Sequence, residues 1–457
     1  MMDTATVARA VGGRMLGGNV RFSRVATDSR TLAAGDLFVA IEGERFDGHD
    51  FVAAAFERGA VAALVAEDRA EALGGNLVVV EKPLAALGRL AAHWRARFAI
   101  PVIVVVGSNG KTTVKEMLAA ILRAHYGERR VLATQGNLNN AIGLPLTLLR
   151  LRDEHAAAAI ELGMNHPGET AELAAIAQPT VALVNNAQRE HQEFMRSVDE
   201  VALEHAALVR ALRAGGTAVV NADDASIDVW RAAARERPGV RVVDFALAHP
   251  AAIRLRDATT ATGAMRITTP AGDATLIVNA PGRHNLSNAL AAASAALAID
   301  VPLSAIVAGL ESFRPVAGRL ATLRTAAGVT VIDDSYNANP DSVRAAIDVL
   351  AAQPAPRWLA LGDMGEVGAS GPQFHREVGA YARTAGIERL LTAGSATEES
   401  AVAFGEGARH FASVDALAAY VADSARAGTT ILVKGSRVMR MERVVAALAG
   451  EKQAGAH

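Results

Sequence analysis

Short apolar runs alternate with helical patterns along this chain, and the alternation predicts three α/β units. The first covers residues 1–100. Asp36-Leu37-Phe38-Val39-Ala40-Ile41, Ala62-Ala63-Leu64-Val65 and Leu77-Val78-Val79-Val80 read as strands. A helix opens at Phe51 and stops at Gly59, and another runs from Leu84 to Phe98 before Pro101. The second unit covers residues 101–315, with strands expected at 102–106, 156–160, 181–184 and 217–220. A more β-rich stretch follows at 240–280, then a helix at 284–298 leading to Ser312-Phe313-Arg314-Pro315. The third unit covers residues 316–457, with strands at 329–333, 357–361, 389–392 and 430–433. Strands separated by helical patterns of three- and four-residue spacing predict parallel sheets wrapped by helices.

One element of this pattern carries chemistry on its face. The run Ile103-Val104-Val105-Val106 ends in Gly107-Ser108-Asn109-Gly110-Lys111-Thr112-Thr113, and a helical face follows at Val114, Met117, Leu118, Ile121 and Leu122. Strand, glycine-rich turn and helix start make a phosphate cradle. Glycines let backbone N–H groups converge on an anion, and the helix dipole points its positive end there. A lysine adds a point charge for terminal phosphates, and a threonine hydroxyl can ligate Mg²⁺. The general phosphate-loop pattern spaces its first glycine further from Gly-Lys; here Val105 holds that place and Gly107 stands nearer, so this is a short variant.

Composition sharpens that reading. Only Lys82, Lys111, Lys115, Lys434 and Lys452 are lysines among 46 basic residues, so arginine does nearly all the routine cationic work. A chain this poor in lysine still places one in the cradle, where a compact ammonium fits better than a planar fork. The formal net charge of −2, with no basic patch or tail, argues against nucleic acid as a partner. With no cysteine there is neither a disulfide nor a thiolate metal site. No apolar run is long enough to span a membrane, and Met1-Met2-Asp3-Thr4 lacks a basic-then-apolar leader pattern. A cytoplasmic monomer is the expectation.

Further candidates sit after other strands. Gly136-Asn137-Leu138-Asn139-Asn140 suits a loop contacting a polar substrate, although alone it is equally a plain turn. Glu161 ends a buried strand, where ligands of open α/β sheets gather, and is a candidate Mg²⁺ ligand. His191, in Asn185-Asn186-Ala187-Gln188-Arg189-Glu190-His191, is a candidate for a second metal or for the transferring phosphoryl group. Asn285 and Asn288 start a helix and are candidates for a nucleotide base, while Arg319 offers a guanidinium to a phosphate. Asp333-Asp334-Ser335-Tyr336-Asn337-Ala338-Asn339-Pro340 is a polar loop at a strand end, and Lys434-Gly435-Ser436-Arg437 closes the last strand with cations suited to a carboxylate.

Taken together these residues resemble the Mur ligase superfamily along nearly the whole chain. The superfamily signal is the loop 107–113, Glu161, His191, His284-Asn285 with Asn288, and Arg319. The loops around Asn137 and Asn337, together with Leu361-Gly362-Asp363-Met364-Gly365-Glu366 and Lys434 to Arg437, narrow it to the branch that extends a muramoyl tripeptide. The resemblance implies an N-terminal UDP-sugar-binding domain, a central ATP-binding domain and a C-terminal Rossmann-like domain. It implies ATP and Mg²⁺ as cofactors, and UDP-N-acetylmuramoyl tripeptide and D-alanyl-D-alanine as substrates, joined through an acyl phosphate. On it, Lys111 serves the β- and γ-phosphates, Thr112 and Glu161 a first Mg²⁺, and His191 a second. Asn285 and Asn288 take the adenine side, Arg319 the γ-phosphate, and Asp334 the ribose or phosphates. Ser29 and Arg30 contact UDP, and Asn137, Asn139, Asn337, Asn339, Lys434 and Arg437 face the peptide substrates.

One departure stands out. The family usually has a lysine downstream of the metal-binding histidine, carbamylated so that it acts as a carboxylate. Here the matching stretch is Ala202-Leu203-Glu204-His205-Ala206-Ala207, without lysine. Glu204, His205 or water is left to take that role. Rival readings are a sibling ligase with another amino-acid substrate, a nucleotide-switched scaffold, and a kinase that releases no free phosphate.

Overall fold

The computed structural model describes residues 1–259 and 263–450, so the last positions of the third expected unit fall outside the described residues. Three large sheets carry the chain, beside a two-stranded pairing of Met2–Asp3 with Arg21–Phe22. The first has five strands in the order Arg14–Leu16, Leu77–Val80, Ala62–Ala66, Asp36–Val39 and Arg24–Ala26. The second has nine, with Val102–Val106 third from one edge, and the third has six, centred on Thr430–Lys434 and Arg357–Gly362. The expected strands of all three units are present. Sequence pattern missed the shorter ones, such as Val131–Ala133 and Ala408–Phe411, which are too brief to show a period.

The central sheet explains the position of the cradle. Val102–Val106 is buried on both faces, as its unbroken β-branched run requires. Its neighbours are Ala157–Glu161 and Val181–Val184, both parallel, with Glu161 beside Val105 and Val184 beside Val106. The carboxylate of Glu161 and the loop beginning at Asn185 therefore flank the turn that leaves Val106. The sheet continues past Arg241–Ala246 into an antiparallel meander, Ile253–Thr259, Ala264–Thr269 and Gly272–Ile277. In the third sheet Asp334 and Lys434 end adjacent parallel strands in register, which places an acid against a base at the same rim.

The helix Lys111–Tyr126 leaves the cradle and buries Val114, Met117, Leu118, Ile121 and Leu122. The helix Leu303–Ser312 lies against it at Gly309, where a β-carbon would stand 2.3 Å from the Ile121 Cα. Only glycine permits this approach. The first unit is pinned to the second by Arg95, which is fully buried and donates to the carbonyls of Ala177 (3.1 Å), Gln178 (3.1 Å) and Phe98 (2.6 Å). Burial lowers its pKa to about 10, so it stays charged. Trp94 adds a bond from its indole N–H to the Leu151 carbonyl at 3.1 Å.

Gly309→Ala forces two helix backbones apart and is expected to destabilise the protein by roughly 1–3 kcal/mol, the usual cost of overpacking. Chemical or thermal unfolding of the variant tests this, and an unchanged midpoint would refute the close-packing argument.

Candidate active site

A single cleft of about 1690 Å³ runs between the central and third units. Ser108 to Thr113, Asn137, Asn139, Glu161, His191, Asn285, Asn288, Arg319, Asp334, Asn337, Asn339 and Lys434 line it, whereas Gly107, Ser29, Arg30, Glu204, His205 and Arg437 do not. Gly107 is the hinge beneath the loop, with φ 146° and no room for a side chain against Asn185. Ser29 and Arg30 form a short turn of the first unit, where Arg30 pairs with Asp28 at 2.8 Å. Arg437 is exposed and pairs with Glu442 at 3.3 Å.

The cradle is built from both flanking strands. Gly110 sits at φ 81°, and a β-carbon there would lie 2.4 Å from Asn288 Oδ1 and 2.8 Å from Asn185 Nδ2. Asn185 donates to the Asn109 carbonyl at 2.8 Å and to Asn288 at 2.9 Å. Asn288 in turn donates to Asn285 at 3.0 Å, and Asn285 to the Pro281 carbonyl at 2.7 Å. Asn285 and Asn288 thus brace the loop from behind with their amides. Lys111 folds back, donating to the Gly107 carbonyl at 2.6 Å and pairing with Glu190 at 3.2 Å. Thr112 donates to Glu161 at 2.8 Å, and the other Glu161 oxygen accepts from Asn139 at 2.8 Å.

Among the described residues no three His, Cys, Asp or Glu side chains form a ready metal cage. Thr112 and Glu161 fit Mg²⁺ in another way. A buried hydroxyl and a buried carboxylate, both oxygen donors, open onto a phosphate cradle, and Mg²⁺ commonly takes one or two protein ligands with phosphate and water completing its shell.

The third unit supplies the opposite wall. Arg319 stacks over Tyr336 at 4.2 Å. Lys434 is buried, donating to Asp334 at 2.5 Å and to the Asn337 carbonyl at 2.9 Å. Burial raises the pKa of Asp334 even with Lys434 against it. Asn339 caps the helix Pro340–Ala351 and donates across the cleft to Asn109 at 3.0 Å. His284, from the central unit, lines the cleft near Lys434; burial, aided by the charge of Lys434, holds its pKa at about 4 and keeps the ring neutral.

Two residues that sequence reasoning passed over organise the junction. Arg189 donates to Asp341 at 2.7 Å and to Glu377 at 2.7 Å, and lies over Phe374 at 5.1 Å, clamping the third unit to the second. Glu190 is a buried carboxylate among Lys111, His191 and His205. Burial alone would raise its pKa, but the charge of Lys111, with His205 close by, holds it at about 2. His191 meets Glu366 at 2.6 Å, and both adopt left-handed backbone, at φ 48° and 57°. Such backbone is costly for non-glycine residues and persists where surrounding contacts over-determine it. Of the replacements expected for the missing lysine, Glu204 is committed elsewhere, accepting from the backbone N–H groups of Gly168 (3.0 Å) and Thr170 (2.8 Å). His205 is buried against Glu190.

With this geometry in place, comparison with known proteins is informative. Family models match as Mur ligase family, catalytic domain over residues 21–95, Mur ligase middle domain over 105–296, and Mur ligase, glutamate ligase domain over 318–437. The UDP-N-acetylmuramoyl-tripeptide–D-alanyl-D-alanine ligase of Escherichia coli K12 is 40% identical over 440 residues, covering 96% of each chain. A crystal structure of MurF from Acinetobacter baumannii superposes with a TM-score of 0.89 at 31% identity, covering 98% of this chain and 99% of that one. The MurF ligase from Thermotoga maritima in complex with ADP superposes at 0.80 with 26% identity, covering 94% and 97%.

Arg189→Ala leaves Asp341 and Glu377 without their partner and is expected to weaken the closed arrangement by about 2 kcal/mol. X-ray scattering of the nucleotide-free protein should show a larger radius of gyration; an unchanged value would remove the clamp. A second expectation concerns pH. The ring of His284 is neutral in the fold down to about pH 4 but titrates near 6.5 once unfolded, so its contribution is complete above 6.5 and lost as pH falls toward 4. Melting temperatures between pH 7 and 4.5 should therefore fall more steeply for wild type than for His284→Asn, and parallel curves would contradict the assignment.

Proposed function

Because the chain belongs to the Mur ligase family, we infer that it is an ATP-dependent ligase that joins D-alanyl-D-alanine to UDP-N-acetylmuramoyl-tripeptide and so forms the pentapeptide precursor of peptidoglycan. The observation that carries the reading is the cleft itself, where a phosphate cradle faces cationic and amide groups of the third unit across a short gap. Residues 1–100 serve as the UDP-substrate domain, 101–315 as the ATP domain, and 316–457 as the domain that completes the site. The protein acts as a cytoplasmic monomer in this reading. No helix among the described residues is long and apolar enough to cross a membrane.

The reaction has two displacements. The terminal carboxylate of the tripeptide attacks the γ-phosphorus of ATP, the bond to the β-phosphate oxygen breaks, and ADP leaves. The amine of D-alanyl-D-alanine then attacks the acyl-phosphate carbonyl, an amide forms with loss of a proton, and inorganic phosphate departs. In the first step the protein mainly positions groups and neutralises charge. Lys111 turns from Glu190 to the β- and γ-phosphates, and the loop N–H groups cradle them. Arg319 meets the γ-phosphate from the opposite wall. Thr112 and Glu161 would hold the first Mg²⁺ and His191 a second; bound Mg²⁺ offsets negative charge on the phosphates and the transferring group. Asn285 and Asn288 shape the adenine-side wall, and Asp334 lies toward the ribose or phosphates. Asn137, Asn139, Asn337, Asn339 and Lys434 line the peptide side. Ser29 and Arg30, in the first unit, are assigned to UDP, and Arg437 to the dipeptide.

Phosphate release from ATP, followed together with product mass, tests the reaction. Release and a pentapeptide product are expected only when both UDP-N-acetylmuramoyl tripeptide and D-alanyl-D-alanine are present. Release with a single amino acid in place of the dipeptide would make this a sibling ligase, and turnover without an amide product would overturn the ligase reading.

A further inference from the structure

Glu190 is a buried carboxylate at the edge of the reaction cleft. Its side chain is only 6% exposed, yet it lines the reaction cleft beside the cradle. One oxygen lies 3.2 Å from Lys111 Nζ and 3.7 Å from His191 Nε2. The other lies 3.4 Å from His205 Nε2 but accepts no aligned hydrogen bond. A buried carboxylate oxygen without a donor is costly unless a cation serves it. Among the described residues the lysine paired with it is Lys111, the one the phosphates call on, so a nucleotide that takes Lys111 would leave Glu190 with unbalanced charge.

The neighbours define what can replace that lysine. His191 contributes an imidazole and Glu190 a carboxylate, donors that accept a divalent cation, and the adjoining phosphates complete a shell of oxygens. His205 lies behind the carboxylate, buried and outside the cleft, in the position of a group that orients a ligand rather than touching the ion. The carboxylate of Glu204, one of the candidates offered by the sequence, is spent on the N-terminus of the helix Glu169–Ala177.

We propose that Glu190, oriented by His205, is the fixed carboxylate that holds the second divalent cation beside His191, doing with a side chain what the family usually does with a carbamylated lysine. The proposal rests on the ligase reading above. It makes the second-ion site independent of CO₂, and it makes that ion bind only after a nucleotide has taken Lys111.

The test counts ions rather than turnover. Mn²⁺ bound to the full-length protein is measured by electron paramagnetic resonance in CO₂-depleted buffer, with a non-hydrolysable ATP analogue and UDP-N-acetylmuramoyl tripeptide. Wild type should hold two ions, and Glu190→Gln one, with analogue affinity changed by less than about threefold. His205→Gln should keep the first ion unchanged and weaken the second by about ten- to a hundredfold, the range expected when an orienting partner is lost. A melting curve checks that each variant folds, and His205→Gln alone decides the matter if Glu190→Gln does not. Two ions of unchanged affinity in the variants, a single ion in wild type, or a second ion that needs added bicarbonate would each overturn the proposal. Failure of the ligase reading is separately visible as wild-type protein that releases no phosphate in response to D-alanyl-D-alanine.

Discussion

Everything in the cleft depends on a steric constraint at one turn. The backbone between Val106 and Lys111 passes so close to Asn185 and Asn288 that a single β-carbon at Gly110 would collide with both amides. Those contacts hold the loop open in the conformation a polyphosphate needs, and they come from the strand on one side and a distant helix start on the other. The strand on the opposite side ends in Glu161 and delivers its carboxylate to Thr112. A parallel sheet achieves this because its strands all end at the same rim, so residues remote in sequence arrive together with no loop spanning the distance.

Charge follows the same geometry. Lys111, Arg319 and Lys434 approach the cleft from different elements, and two of them are partnered by acids, Glu190 and Asp334. Isolated buried cations would be costly, and paired ones can be exchanged to an incoming anion with little reorganisation. Lysine rarity elsewhere in the chain is consistent with this division of labour. Arginine makes the fixed forks, as in the pairs Arg189 with Asp341 and Arg357 with Glu388, while lysine is kept where a compact charge must change partner.

How much of this was legible in the sequence follows from the range of each interaction. The cradle, Glu161, Asp334 and Lys434 were legible because each is a local event, a polar group at the end of an apolar run. Arg189 and Glu190 were not, although they adjoin His191, because their partners lie far away: Asp341 and Glu377 in another unit, Lys111 and His205 on other elements. Nothing local distinguishes a clamp arginine from a solvated one. Asn285 and Asn288 were legible as important, but their amides proved to brace the loop. Ser29 and Arg30 were proposed from motif likeness alone and Arg437 from its charge at a strand end, and none of the three lines the cleft.

The strained positions link these observations to catalysis. His191 and Glu366 adopt left-handed backbone and meet each other across the boundary between units, and Leu320, next to Arg319, does so at φ 56°. Neither side chain nor local sequence favours that conformation at these residues. What favours it is the packed boundary, where the Glu193 N–H donates to the Glu366 carbonyl at 3.1 Å and a β-carbon at Gly368 would stand 3.1 Å from the Gln192 carbonyl oxygen. Separating the units would remove those contacts and leave the strain unopposed, so the loops would relax and His191 and Arg319 would lose their places together. An acyl phosphate survives only where water is kept away, and a site assembled solely by closure forms it only when the cleft is shut. The same boundary that strains the backbone therefore ties the reactive step to the closed state.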